Sequence, residues 1–154
     1  MYRFPIPAQE FALQYLENVL EANPGKGIVV AGHSKGGNVS VYAASECRKE
    51  MRSLIRYVYN FDGPGLRKEQ FESEAFKKLS TKLINVLPTG SVIGVLLYND
   101  NYNVVETDAL AFSQHYPVNW KVFGEFFVSG NISTVSAQLH ENTTTGFENL
   151  DPLK

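Results

Sequence analysis

At 154 residues and a formal net charge of −2, the chain has the length of one domain with a substantial core. The near-neutral charge gives no electrostatic basis for binding nucleic acid or an anionic membrane surface. The single cysteine, Cys47, excludes an internal disulfide. The sequence shows neither a signal peptide nor a transmembrane segment, so we expect a cytoplasmic protein.

The first part of the chain predicts a helix, a strand and a second helix. Residues 7–23 carry an apolar stripe at helical spacing and end in an Asn-Pro-Gly turn. Residues 27–31 form a short apolar run that is typical of a buried strand. Residues 35–51 contain small side chains, which indicate a helix packed closely on a sheet.

The rest of the chain alternates between further strands and polar segments. Strands are predicted over residues 55–61, 82–87, 92–98 and 103–105, with a polar, partly helical stretch over 66–78. Residues 120–139 are ambiguous between strand and helix. The alternation predicts an α/β fold with a mainly parallel sheet flanked by helices, in one domain over residues 1–140. We expect residues 141–154 to be a flexible tail.

Between the first strand and the following helix, residues 32–36 read Gly-His-Ser-Lys-Gly and match the G-x-S-x-G nucleophile elbow. Turning from strand to helix in so few residues strains the serine backbone, and side chains on either side of the serine would collide. The glycines that relieve this crowding are Gly32, Gly36 and Gly37. A serine that merely caps the helix is the alternative, but a cap does not require two consecutive glycines at the helix start. The pattern predicts Ser34 as a nucleophile and the Lys35 backbone N–H as a donor to the oxyanion.

A serine nucleophile needs a base and an orienting carboxylate, which in this type of fold follow the serine along the chain. His115 lies on a predicted loop and is the candidate base, the alternative being a surface or hydrogen-bonded histidine. His33 is expected to point away from Ser34, and His140 falls at the start of the weakly patterned tail.

The candidate acid is Asp62, which ends the strand that follows the elbow. Capping of its own Asp-Gly-Pro-Gly turn is the alternative role for this side chain. Asp100 and Asp108, on later predicted loops, remain alternative acids. The sequence has neither metal-ligand spacing nor a glycine-rich phosphate loop, so we expect no metal and no cofactor.

Three separated motifs together resemble a known family. They are GHSKGGN over residues 32–38, VYNFDGPG over residues 58–65, and Gln114-His115. In this order they resemble a bacterial lipase-like family of α/β-hydrolases of formerly unknown function, which is similar in turn to the class 3 lipases. The resemblance covers about residues 7–127. It implies hydrolysis of carboxylic esters, small-molecule or lipid esters such as lysophospholipids, with Ser34 as nucleophile and His115 as base.

Two departures from the family pattern shape the expected site. In class 3 lipases the acid follows the strand that ends here near residues 88–92, where no carboxylate stands. The acid is therefore either Asp62, as in the pancreatic lipase type, or missing. The family also carries several strands and an oxyanion loop before the elbow, where this chain has a helix. We therefore expect a partial α/β-hydrolase fold that lacks one oxyanion donor and whose unpaired sheet edge favours self-association.

The sequence thus supports two classes of function. The first is a serine esterase that uses Ser34, His115 and Asp62. The alternative is a catalytically silent hydrolase-fold domain that acts as a binding or interaction module. An acyltransferase that uses the same triad is not separated from the esterase by the sequence.

Overall fold

A four-stranded parallel sheet lies at the centre of the computed structural model, which describes residues 4–149. The helices are α1 (Pro7–Ala22), α2 (Lys35–Glu46), α3 (Lys49–Arg52), α4 (Lys68–Phe71), α5 (Glu74–Ser80) and α6 (Thr134–Asn149). The strands are β1 (Ile28–His33), β2 (Ile55–Phe61), β3 (Leu83–Pro88), β4 (Tyr102–Val105), β5 (Val122–Phe123) and β6 (Phe126–Phe127). The predicted α/β class with a mainly parallel sheet flanked by helices is confirmed.

The strands of the central sheet follow one another in chain order, β1-β2-β3-β4, and every neighbouring pair is parallel. His33 at the end of β1 is opposite Phe61 at the end of β2, and Phe61 is opposite Val86 in β3. The loops that leave β1, β2 and β3 therefore meet at one edge of the sheet, where sites in open α/β sheets collect. Strand β1 is the first in the order, so among the described residues one of its sides has no strand partner. Strands β5 and β6 form a separate antiparallel hairpin.

The larger apolar cluster joins α1, α2 and α5 to one face of the sheet. Helix α1 begins with Pro7 at its first position, a favoured place for proline, and buries Leu16 and Leu20 one turn apart. Helix α2 buries Ala43 and Ala44, whose small side chains let the helix lie close to β1 and β2. Cys47 lies in this cluster, and burial raises the pKa of its thiol.

A smaller cluster occupies the other face of the sheet. It consists of Val86, Val105 and Trp120, with Phe61 and Ile84 packed against it. Successive side chains of a strand point to opposite faces, so Phe61 lies across the sheet from Val58 of the larger cluster. Trp120 therefore attaches the segment that follows β4 to this second face.

The strand predicted over residues 92–98 is wrong. This segment forms turns, in which Leu97 adopts a positive φ of 63° and a single antiparallel bridge joins Tyr98 to Leu66. The run is apolar because Val95 is buried in the turn, and not because the segment extends a sheet. The apolar pattern therefore indicates burial here without indicating an extended backbone.

Helix α6 includes the first nine residues of the predicted flexible tail and ends at Asn149. The side chain of His140 bonds the carbonyl oxygen of Val95 at 2.8 Å through Nδ1. The hydroxyls of Thr143 and Thr144 donate back to carbonyls of the preceding turn of α6. These bonds hold a helix that has little apolar patterning. Residues 150–154 of the predicted tail lie outside the described residues. Among residues 4–149, no helix combines the length and the apolar character that crossing a membrane requires.

Candidate active site

Ser34 stands at the junction of β1 and α2 in a strained backbone conformation, with φ 57° and ψ −130°. A non-glycine residue adopts such a conformation at a cost of ~1–3 kcal/mol, which surrounding structure must impose. Part of that structure is the neighbouring strand, because the Ser34 N–H donates to the Phe61 carbonyl oxygen at 2.9 Å. The Ser34 side chain makes no capping hydrogen bond to α2. Ser34 occupies the N-cap position of α2, and its side chain does not act as the cap.

The elbow glycines differ in how closely the chain surrounds them. A Cβ on Gly32 would collide with the Gly36 carbonyl oxygen, and a Cβ on Gly37 would collide with Oδ1 of Asn60. Both positions therefore require glycine. Gly36 faces open space. Apart from its chain neighbours and the backbone of α2 itself, no described atom would lie within 4 Å of a Cβ at this position. The predicted steric need for glycine at residue 36 is therefore wrong.

Replacement of Gly32 with alanine is expected to destabilise the fold by about 3 kcal/mol, because the methyl group meets a backbone atom that has no rotamer to change. In a domain of this size that corresponds to a melting temperature lowered by roughly 6–12 °C. Gly36→Ala is the matched control and should match the wild type or exceed it slightly, since alanine favours the helix start. Calorimetry measures both variants, and equal melting temperatures for the two would contradict the packing of the elbow.

Helix α2 presents its first N–H groups beside Ser34. The N–H groups of Gly37 and Asn38 donate to the Ser34 carbonyl oxygen, at 2.9 and 3.4 Å. The Lys35 N–H, at the first helical position, has no acceptor among the described residues. This free donor at a helix N-terminus is the group predicted to stabilise an oxyanion at Ser34.

His115 and Asp62 are joined by a hydrogen bond of 2.8 Å between Nδ1 and Oδ2. Asp62 is only 2% exposed and lies just beyond the end of β2, while His115 ends a short 3₁₀ turn over residues 111–115. A carboxylate oxygen can only accept a hydrogen bond, so the neutral imidazole of His115 carries its proton on Nδ1. Its Nε2 is then free to accept a second proton. Within residues 4–149 the Ser34 hydroxyl makes no hydrogen bond to His115, which is common before a substrate tightens a site.

The alternative acids lie elsewhere. Asp108 is exposed and pairs with Nζ of Lys121 at 2.7 Å. Asp100 follows the turn that precedes β4, and its carbonyl oxygen accepts from the Asn85 side chain at 2.9 Å. Asp62 is thus the carboxylate that the structure brings to His115.

The three sequence motifs interlock around this pair. Nδ2 of Asn38 donates to the Gly65 carbonyl oxygen at 2.6 Å, which ties α2 to the turn after Asp62. Oε1 of Gln114 accepts from the Gly90 N–H at 2.8 Å, and the Gln114 carbonyl oxygen accepts from the Trp120 indole at 2.7 Å. These bonds place the residue before His115 against the loop that follows β3.

Comparison with known families places the chain as a whole. A family model described as Mbeg1-like matches residues 1–151, which includes every residue of the site. The chain belongs to the Mbeg1-like family. No curated protein and no solved structure matches the chain.

Three hydrogen bonds of the candidate site are not predicted from the sequence. His33, expected to point away from Ser34, bonds the His115 carbonyl oxygen at 2.7 Å through Nε2, and the two imidazole rings lie 4.5 Å apart between centroids. Ser91 and Gly94, in the loop after β3, donate to the second carboxylate oxygen of Asp62. The one sequence signal for Ser91 is its place just after β3, at the edge of the sheet where the other site residues lie.

Residues 4–149 contain no group of three His, Cys, Asp or Glu side chains arranged to hold a metal ion. A strained serine, a free helix N–H and a histidine oriented by a buried carboxylate are the parts that nucleophilic acyl transfer requires.

Proposed function

We propose that the chain is a serine hydrolase of the α/β-hydrolase type that cleaves carboxylic esters. The observation that carries the proposal is the 2.8 Å bond between His115 and the buried Asp62, at the sheet edge where the elbow presents Ser34. A buried carboxylate on Nδ1 is the arrangement that makes a histidine an effective base toward a serine hydroxyl.

The proposed reaction has two acyl-transfer steps. Oγ of Ser34 attacks the ester carbonyl carbon while Nε2 of His115 takes the hydroxyl proton, and Asp62 stabilises the resulting imidazolium. The Lys35 N–H donates to the oxyanion of the tetrahedral intermediate. Collapse of the intermediate breaks the bond to the alcohol, which leaves with the proton from His115. Water then attacks the acyl-serine by the same route and releases the carboxylic acid.

The surroundings of His115 support an apolar, uncharged ester. Leu110, Phe112 and Tyr116, on the segment that carries this histidine, are exposed. A cleft of about 430 Å³ lies beside the segment and runs between the loop after β3 and the start of α6. Its described lining includes Val92 and Leu139 and has no charged side chain. These surfaces suit acyl chains, lipid esters included, better than charged substrates.

A fluorophosphonate probe tests the proposal directly, because it reacts with serines that a base has activated. We expect one adduct on the folded protein, located at Ser34 by peptide mass spectrometry, and none after heat unfolding. An adduct that forms equally on unfolded protein, or at another serine, would contradict the proposal.

A second candidate is a binding module without catalysis. It is favoured by the Ser34 hydroxyl, which has no hydrogen-bond partner within residues 4–149, and by the position of β1 at the edge of the described sheet, where Val29 is exposed. Self-association through that edge belongs to this candidate, since unpaired strand edges are templates for another chain. Folded protein that forms no adduct with the probe would favour it over the hydrolase.

A further inference from the structure

The carboxylate of Asp62 uses both of its oxygens in hydrogen bonds. Oδ2 faces Nδ1 of His115 at 2.8 Å. Oδ1 accepts from the Ser91 hydroxyl at 2.5 Å and from the Gly94 N–H at 3.0 Å. Asp62 and Ser91 are 2% and 1% exposed, so these bonds form between buried side chains. Hydrogen bonds to a charged group in such a site are stronger than ordinary ones.

The direction of each bond in this group is defined by chemistry. The Gly94 N–H also lies 3.0 Å from the Ser91 hydroxyl oxygen and can only donate. An ionised carboxylate can only accept, so the Ser91 proton points to Asp62. Gly94 is itself required, because a Cβ there would collide with Oδ1 of Asp62. The loop after β3 therefore closes on one carboxylate oxygen and leaves the other for His115.

The same loop also holds the base. Gly90, next to Ser91, donates its N–H to the side chain of Gln114, the residue before His115. The Ser91 N–H donates to the Pro88 carbonyl oxygen at 3.0 Å, which anchors the loop to the end of β3. One short turn thus contacts both the acid and the neighbour of the base.

We propose that Ser91 is a positioning residue that prevents the Asp62 carboxylate from rotating and so keeps Oδ2 on Nδ1 of His115. This role rests on the proposed hydrolase function. Ser91 follows β3 closely, and its hydroxyl bonds an acid that follows the preceding strand, β2.

Ser91→Ala tests the role, with Ser45→Ala as the matched control. Ser45 is 0% exposed and its hydroxyl donates to the Tyr42 carbonyl oxygen within α2, away from Asp62. We expect Ser91→Ala to slow fluorophosphonate labelling of Ser34 by about 10- to 100-fold, since small misplacements of catalytic groups have effects of this size. Ser45→Ala should label at the wild-type rate. Ser91→Thr should recover most of the rate, because it keeps the hydroxyl that donates to Asp62.

Proton NMR of the His115 Nδ1–H gives a readout that needs no activity. We expect a downfield resonance in the wild type and in Ser45→Ala, and its loss or broadening in folded Ser91→Ala. If the resonance is lost in Ser91→Ala but the wild type does not label at Ser34, the positioning role is retained and ester hydrolysis is rejected. An unchanged resonance in Ser91→Ala, or a wild type that lacks it, would overturn the role. If Ser91→Ala fails to fold, Ser91→Cys replaces it, since the thiol fills the volume and donates weakly.

Discussion

Ser34→Ala is expected to lower kcat for ester hydrolysis by a factor on the order of 10⁶, the loss that removal of the serine causes in an intact triad. Alanine keeps the elbow backbone and its bond to β2 but removes the atom that attacks the ester. Hydrolysis of a chromogenic short-chain ester, followed by absorbance at saturating substrate, measures the effect.

The matched control is Ser40→Ala, on the same helix but without a place in the triad. It should hydrolyse the ester at the wild-type rate and melt at a similar temperature. Activity retained in Ser34→Ala would assign the hydrolysis to another nucleophile and would reject the elbow as its source.

Asp62→Asn is expected to lower kcat by about 10⁴-fold, the loss seen when a triad carboxylate becomes an amide. The amide no longer selects the tautomer with the proton on Nδ1 of His115. The imidazole then carries its proton on Nε2, where it cannot accept the proton of Ser34. The substitution keeps the size and planar shape of the side chain, so circular dichroism should show a folded protein.

Asp108→Asn controls for the loss of one negative charge. Asp108 is 85% exposed and pairs with Lys121 outside the site, so its variant should retain the wild-type kcat. Exposed ion pairs contribute little to stability, so its fold should be unaffected. A fall in kcat for Asp108→Asn that equals the fall for Asp62→Asn would contradict Asp62 as the acid.

Much of the sheet follows from local sequence. Strands β1, β2 and β3 lie close to the predicted ranges, because each is a short apolar run bounded by turn residues or charges. The prediction fails over residues 92–98 because a buried turn and a buried strand both require apolar residues. Tertiary contacts decide between them, here the bridge of Tyr98 to Leu66 and the burial of Val95.

Some residues of the candidate site can likewise be found from local sequence, and others cannot. The elbow and Asp62 can be found from sequence because each follows a strand directly, and neighbouring parallel strands bring such residues together. The role of Ser91 cannot be predicted from the sequence, because serines are common in loops and its partner, Asp62, is distant along the chain. The contact of His33 with the His115 carbonyl oxygen likewise depends on how a distant segment folds over the sheet edge.

The residues of the proposed triad depend on two apolar clusters of different size, one on each face of the sheet. Ser34 and Asp62 follow strands that pack in the larger cluster, whereas the apolar packing of the segment that carries His115 is through Trp120 on the small cluster of Val86 and Val105. Regions with few buried apolar contacts open at a lower free energy than the whole domain. Such a local opening would withdraw the base while the helices and sheet stayed native. Hydrolysis would then fail before the fold does, and the temperature range of activity would reflect this one segment instead of the melting of the protein.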